Sequence, residues 1–229
     1  MSDKNLILDL KKLADREQAK NLQRFFKTGV GDYSEGDIFW GIKVPVTRQI
    51  AKKYYGLDFK AVEKLIKNPV HEVRLCSLLI LVKKYQDNPE LAYKIYLRNT
   101  KYINNWDLVD LTAPQIVGAY LDDKEQSILG KLARSKSLWE RRIAILATFH
   151  FIKKKQPELT LKIAEILVND SHDLIQKAVG WMLREVGKCC SQQIEEDFLN
   201  QHVKTMPRTM LRYAIERFPE PKRRYYLKC

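Results

Sequence analysis

No long apolar run occurs in the chain. The longest, Leu75 to Val82, is broken by Ser77, and a membrane-spanning helix needs about 20 apolar residues. The N-terminal Met-Ser-Asp-Lys-Asn-Leu-Ile-Leu-Asp-Leu-Lys-Lys has no signal-peptide centre, so no membrane partner is expected. Cysteine is scarce. Cys76, Cys189, Cys190 and Cys229 have no metal-ligand spacing, and the adjacent pair is not a C-x-x-C redox motif. Cys229 is terminal and so forms no prenylation box. They read as reduced thiols of a cytoplasmic protein. His71, His150, His172 and His202 are scattered, with no H-x-x-x-H pair, and read as structural or surface residues. No metal and no cofactor is expected.

Acid is also in short supply. Against 41 Lys and Arg stand 28 Asp and Glu, a net charge of +13 and a pI near 9.5. Such a balance suits a polyanionic partner, either nucleic acid or an acidic membrane surface. A solvated basic surface is the plain alternative. At 229 residues with 45% hydrophobic content, the chain can bury a substantial core.

What is present is helical periodicity, as in Leu6, Leu10 and Leu13, and again in Val62, Leu65 and Ile66. Asn-Gly and Asp-Gly hairpin turns are absent. Asp58, Ser137 and Ser171 stand where helix caps belong, and Pro89 and Pro157 where helices begin. The glycines at 29, 31, 36 and 41 mark one irregular stretch. The expected organisation is a single domain over 1–229: an N-terminal helix in 1–28, an irregular segment over 29–44, and stacked repeats from 45 to 229.

The repeats emerge when similar segments are stacked. Val73-Arg-Leu-Cys-Ser-Leu-Leu-Ile-Leu resembles Arg141-Arg-Ile-Ala-Ile-Leu-Ala-Thr-Phe, then Gln176-Lys-Ala-Val-Gly-Trp-Met-Leu, and more loosely Thr209-Met-Leu-Arg-Tyr-Ala-Ile. In register, the equivalent positions are Arg74, Asp110, Arg142, Lys177 and Arg212, separated by 36, 32, 35 and 35 residues. That period fits helical pairs, so the expected fold is an all-α solenoid of HEAT-like repeats with a concave basic groove. Four cations would line the groove, with Asp110 as the single acid. Trp106, Trp139 and Trp181 lie near these positions, and indoles among cations suit a nucleic-acid backbone.

Trp106 and Asp110 are four residues apart and share a helix face. Pro114 lacks the N–H that would bond to the carbonyl of Asp110, so the helix must kink or restart there. Two readings stand at this point. The break turns Asp110 outward for function, or Asp110 or Thr112 caps a helix that begins near Ala113.

These residues carry a resemblance. Gly41-Ile-Lys-Val-Pro-Val-Thr-Arg48, Trp106-Asp-Leu-Val-Asp110, Trp139-Glu-Arg-Arg-Ile-Ala-Ile-Leu146 and Gln176-Lys-Ala-Val-Gly-Trp-Met-Leu-Arg-Glu185 resemble, in order and spacing, four motifs of the AlkD-type alkylpurine DNA glycosylases. The match spans residues 20 to 217. The resemblance implies a monofunctional enzyme that hydrolyses the glycosidic bond of positively charged N3- or N7-alkylated purines in double-stranded DNA, leaving an abasic site. It implies Asp110 as the catalytic carboxylate, Trp106 and Trp181 as sugar-facing aromatics, and Arg142 and Arg184 as DNA contacts. Lys177, Arg74, Arg212 and Arg48 complete the expected DNA-binding set. The family's N-terminal aromatic corresponds only loosely, to Phe25 or Phe26. A monomer, cytoplasmic and nucleoid-associated, is expected.

Bland alternatives apply to each residue. Tryptophans at helical spacing are commonly core, Trp139 can staple a helix start, and Trp40 reads as packing. Lys153 to Lys155 and Lys222 to Arg224 read as a solvated face. Two non-enzymatic functions remain beside the glycosylase: a HEAT-repeat protein that binds distorted or branched DNA without cutting it, and a protein scaffold.

Overall fold

The computed structural model describes all residues 1–229. Its regular structure is helical: fifteen α-helices, two short 3-10 turns and one π-turn. An isolated parallel bridge, Ile38 to Val70, is the only β pairing. The chain divides into two compact units, Met1–Thr112 and Ala113–Cys229.

The first unit holds α1 (Asp3–Lys11), α2 (Arg16–Phe25), α3 (Val44–Lys53), α4 (Phe59–Ile66), α5 (His71–Lys84), α6 (Pro89–Arg98) and α7 (Trp106–Asp110). The apolar run is the middle of α5. That helix is buried on nearly every side because α1, α3, α4, α6 and α7 all pack against it. Residues 1–28 were expected to form one helix but form two. Asp15 ends the continuity by accepting hydrogen bonds from the amides of Glu17 and Gln18, both at 2.9 Å, and so caps α2.

The second unit holds the π-turn Pro114–Gly118, then α8 (Ser127–Ala133), α9 (Leu138–Ala147), α10 (Phe149–Lys153), α11 (Glu158–Leu167), α12 (Asp173–Cys189), α13 (Gln192–His202), α14 (Arg208–Ala214) and α15 (Glu220–Lys228). Here α12 is central and touches α9, α11, α13 and α14. Gly180 makes the α12–α14 approach possible. A Cβ there would lie 2.3 Å from the Met210 carbonyl oxygen. The expected caps at Asp58 and Ser137 are present. At the start of α12, however, the cap is His172 rather than Ser171, its Nδ1 accepting from the Leu174 amide at 3.2 Å.

Helical pairs succeed one another within each unit, as α4 with α5, α8 with α9, and α11 with α12. The all-α repeat architecture read from the sequence is therefore present. The repeat register also holds: Arg74 is the fourth residue of α5, and Asp110, Arg142, Lys177 and Arg212 are each the fifth of α7, α9, α12 and α14.

The irregular stretch before α3 has its own logic. Gly41 sits at φ +86°, and a Cβ there would stand 2.1 Å from the Asp15 carbonyl oxygen. Its backbone turn points three consecutive amides at one buried carboxylate: Glu72 accepts from Trp40, Gly41 and Ile42 at 3.0, 2.8 and 3.1 Å. Gly41→Ala combines a left-handed backbone with a steric overlap, so it should destabilise the protein by about 3 kcal/mol. Urea unfolding checks this; a change below about 0.5 kcal/mol, the size of an ordinary surface substitution, contradicts it.

Candidate functional site

The site is built on α7, which has only five residues. A helix that short has no stability of its own, so other side chains must hold it. At its start, Asn105 accepts from the Trp106 amide at 2.8 Å and donates through its Nδ2 to the Ser34 hydroxyl. Two residues further on, Asp107 accepts from the Leu108 amide at 2.8 Å. Its other oxygen meets His71 Nε2 at 2.9 Å. At the far end, the Thr112 hydroxyl bonds back to the Leu108 carbonyl and lies 3.0 Å from the Tyr96 hydroxyl. The residue before the π-turn at Pro114 is Ala113, which supplies no side-chain cap, and the Thr112 hydroxyl is turned back to Leu108.

His71 is the centre of this support. It is buried, with Asp107 on one ring nitrogen and Asp37 on the other at 3.1 Å. Arg74 closes the chain by donating to the second Asp37 oxygen at 2.6 Å. Burial alone would pull the imidazole pKa down. The Asp107 charge and hydrogen bond, with those of Asp37, outweigh it and raise the pKa to about 9. Burial likewise pushes Asp37 up, but His71 and Arg74 hold it below its ordinary value. At neutral pH the centre is thus a buried imidazolium between two carboxylates. Phe39 stacks on its ring at 4.4 Å.

Phe26 lies 5.1 Å from His71 and stacks at 5.1 Å on Trp106, with 20° between the planes of the two larger rings. The indole is half-buried. Phe25 meets it edge-on at 5.8 Å. Phe26 is 5% exposed and Phe25 64%, so only Phe25 is open to a ligand. Asp110, half-buried, ends α7 on the same face as Trp106. Burial raises the Tyr96 phenol far above its usual pKa, and the negative charge of Asp110 adds to that shift.

The cations expected to bind DNA divide sharply. Arg74 is 3% exposed, and besides Asp37 it donates to the carbonyls of Asn68 and Pro69 at 3.0 and 2.9 Å. Its charge is committed inside the fold, which corrects its expected place on a binding wall. Arg142 is 5% exposed and donates to the Leu174 carbonyl, joining α9 to the start of α12. It too is an internal brace. Arg184 is paired with Glu216, and Lys177 with Asp173 at 2.8 Å. Arg48 and Arg212 are exposed. Trp181 is half-buried with Phe149 at 6.0 Å, and Trp139 is buried. No group of three or more His, Cys, Asp or Glu is arranged to hold a metal. No helix is long and apolar enough to cross a membrane.

Against known proteins, a family model described as DNA alkylation repair enzyme matches residues 6–218. The chain belongs to the DNA alkylation repair enzyme family. Its fold is similar to that of a predicted DNA alkylation repair enzyme from Enterococcus faecalis, with a TM-score of 0.69 at 17% identity, over 90% of this chain and 97% of that one. It is also similar to smu.31 of Streptococcus mutans UA159, with a TM-score of 0.56 at 17% identity, over 89% and 100% of the two chains. No curated protein matches. Family membership supports an enzymatic role in the repair of DNA alkylation.

Sequence reasoning passed over Asp37, His71, Glu72 and Tyr96 as site components. Their partners stand between 16 and 37 residues away in the chain, beyond any local pattern. The one available signal was Asp107, an acid inside Trp-Asp-Leu-Val-Asp on the buried side of its helix.

A raised histidine pKa stabilises the fold fully below pH 6.5, and that contribution is lost as pH rises through about 9. Over this window the wild type should lose about 3 kcal/mol that His71→Gln, lacking a titrating ring, does not lose. Glu195, whose carboxyl burial pushes up to about 8, adds a decline from pH 4.5 to 8 that both proteins share. Parallel stability profiles for the two proteins would exclude a charged His71. Arg142→Ala should cost about 1–3 kcal/mol in stability by stranding the Leu174 carbonyl. If it instead weakens duplex binding at unchanged melting temperature, Arg142 is a DNA contact after all.

Proposed function

We propose that this protein is a monofunctional DNA glycosylase for positively charged N3- and N7-alkylated purines, with Asp110 as its catalytic carboxylate. The observation that carries the reading is α7. A five-residue helix is held at both ends by buried side chains, and its two outward features are one indole and one carboxylate in a chain of net charge +13. Fixing α7 fixes Trp106 and Asp110 together.

The chemistry follows from the substrate. An alkylated purine already carries positive charge and leaves without help from an acid. The sugar becomes oxocarbenium-like as the bond breaks. A carboxylate about 4 Å away stabilises that charge by about 4 kcal/mol at an effective dielectric near 20, about a thousandfold in rate. The Trp106 face adds about 0.5–2 kcal/mol through cation–π attraction. Asp110 also orients the attacking water, as carboxylates do in glycoside hydrolysis. Phe25 is the exposed aromatic beside that centre. In the second unit, the reading assigns DNA contact to Trp181, Lys177 and Arg212, and in the first to Arg48.

No lysine in the sequence stands out as an amine nucleophile, which favours hydrolysis without strand cleavage. The partner is double-stranded DNA, and the protein acts as a monomer in the cytoplasm at the nucleoid.

The test is release of free base from methylated duplex DNA. Wild type should release methylated purine, and Asp110→Asn should lose at least about a hundredfold in single-turnover rate while binding duplex as well or better, because an anion near phosphates is removed. Full excision by Asp110→Asn would refute its role. Duplex binding without base release by either protein would favour the noncatalytic DNA-structure binder.

A further inference from the structure

The cations read from the repeat register are largely committed within the fold, but unit 1 also carries exposed ones, among them Arg48, Lys52, Lys53 and Lys60, and three that cluster. Lys20, Arg24 and Lys27 are exposed and gather at the C-terminal half of α2 around a recess shared with Gln23, Thr28, Gly29 and Asp32. No carboxylate pairs with any of the three. The one acid there, Asp32, directs its carboxylate to the Gly29 amide at 3.2 Å. Phe25 stands in the same turn, 64% exposed.

The ridge is held in place at two points. The Asp15 amide donates to the Trp40 carbonyl at 2.8 Å, where α2 begins against Gly41. At its other end, Phe26 stacks between Phe39 and Trp106. The cations therefore have a fixed relation to α7.

Lys27 is the telling residue. The Thr28 amide bonds to the Gln23 carbonyl at 3.2 Å and the Lys27 amide to the Arg24 carbonyl at 3.3 Å. This pair of bonds closes the helix in a Schellman motif, whose turning position favours glycine. Here that position is a lysine at φ +52°. Cations near a helix C-terminus also offset the helix dipole. That accounts for Arg24 and Lys27, but not for Lys20 one turn earlier, nor for the exposed Phe25.

We propose that this end of α2 is a duplex grip, in which Lys20, Arg24 and Lys27 contact backbone phosphates of double-stranded DNA while Phe25 lies against the adjoining sugars. The spacing suits that partner. From Lys20 to Arg24 the helix advances about 6 Å, Lys27 follows just past its end, and one DNA strand presents a phosphate about every 3.4 Å along its axis. Aromatic and cationic groups on one ridge are the combination that holds a nucleic-acid strand. The inference rests on the reading of the chain as a DNA-acting enzyme and names where it takes hold of the backbone.

The experiment measures affinity of the full chain for an undamaged duplex as a function of salt. In the triple variant Lys20→Gln, Arg24→Gln, Lys27→Gln, the slope of log K against log salt should fall in magnitude by about 2.7, about 0.9 per lost phosphate contact. A control that removes equal charge elsewhere on the unit, Lys52→Gln, Lys53→Gln, Lys60→Gln, should leave the slope within about 0.5 of wild type. Lys27→Gly separates grip from cap: it should keep or raise the melting temperature yet lower the slope by about 0.9. An unchanged slope in the triple variant, or an equal fall in the control, overturns the proposal. If wild type releases methylated base while the triple variant keeps its slope, the grip fails and the glycosylase reading stands. If wild type releases no base but the slope falls, the grip stands and the glycosylase reading fails.

Discussion

A buried imidazolium flanked by two carboxylates is the constraint on which the first unit depends. His71 reaches Asp37 in the irregular segment before α3 and Asp107 in α7, and itself opens α5, the helix on which the unit packs. Three stretches that are distant in sequence therefore meet at one ring. An imidazolium donates from both nitrogens, whereas a neutral ring would leave one carboxylate facing a lone pair. Burying this charge is tolerable only because both donors are used and Arg74 balances the second acid. Aromatic packing by Phe26 and Phe39 excludes water from the cluster and, through the same Phe26, sets the plane of Trp106.

For the proposed glycosylase reading, the consequence is rigidity where the helix has none of its own. An oxocarbenium-stabilising carboxylate is effective only if its distance from the sugar is fixed before the bond breaks. In α7 that fixity does not come from helix length. It comes from an asparagine and an aspartate at the start and a threonine–tyrosine pair at the end. The proline that follows removes the option of continuing the helix, so Asp110 remains its last residue.

Much of this was legible in the sequence, for a definite reason. Helical period, caps at Asp58 and Ser137, and the register of Arg74, Asp110, Arg142, Lys177 and Arg212 are local or periodic properties, and the structure reproduces them. What was not legible is which way a cation is used. Arg74 and Arg142 occupy repeat-equivalent positions with Lys177 and Arg212, but their partners are Asp37 and the Leu174 carbonyl, 37 and 32 residues away. A periodic pattern places a residue on a helix face and says nothing of what stands opposite it. The split of residues 1–28 into two helices and the His172 cap were missed for a different reason: several polar residues at each site could cap, and packing chose among them.

Net charge misleads in the same way. A surplus of 13 cations suggests a uniformly basic surface, yet two of the arginines that sequence pattern singles out are used inside the fold: Arg74 neutralises an internal acid and braces carbonyls, and Arg142 braces a carbonyl. The charge available to a polyanion is the part the fold leaves over, and in the first unit one cluster of it lies on α2 and the turn after it. There the fold has accepted a lysine in a left-handed turn where glycine costs less. It has also left a phenylalanine in water, although burial of such a ring is worth about 2 kcal/mol. Two local departures from the most stable choice, side by side and next to the indole that α7 presents, are the pattern expected where a surface is shaped for a ligand rather than for the fold alone.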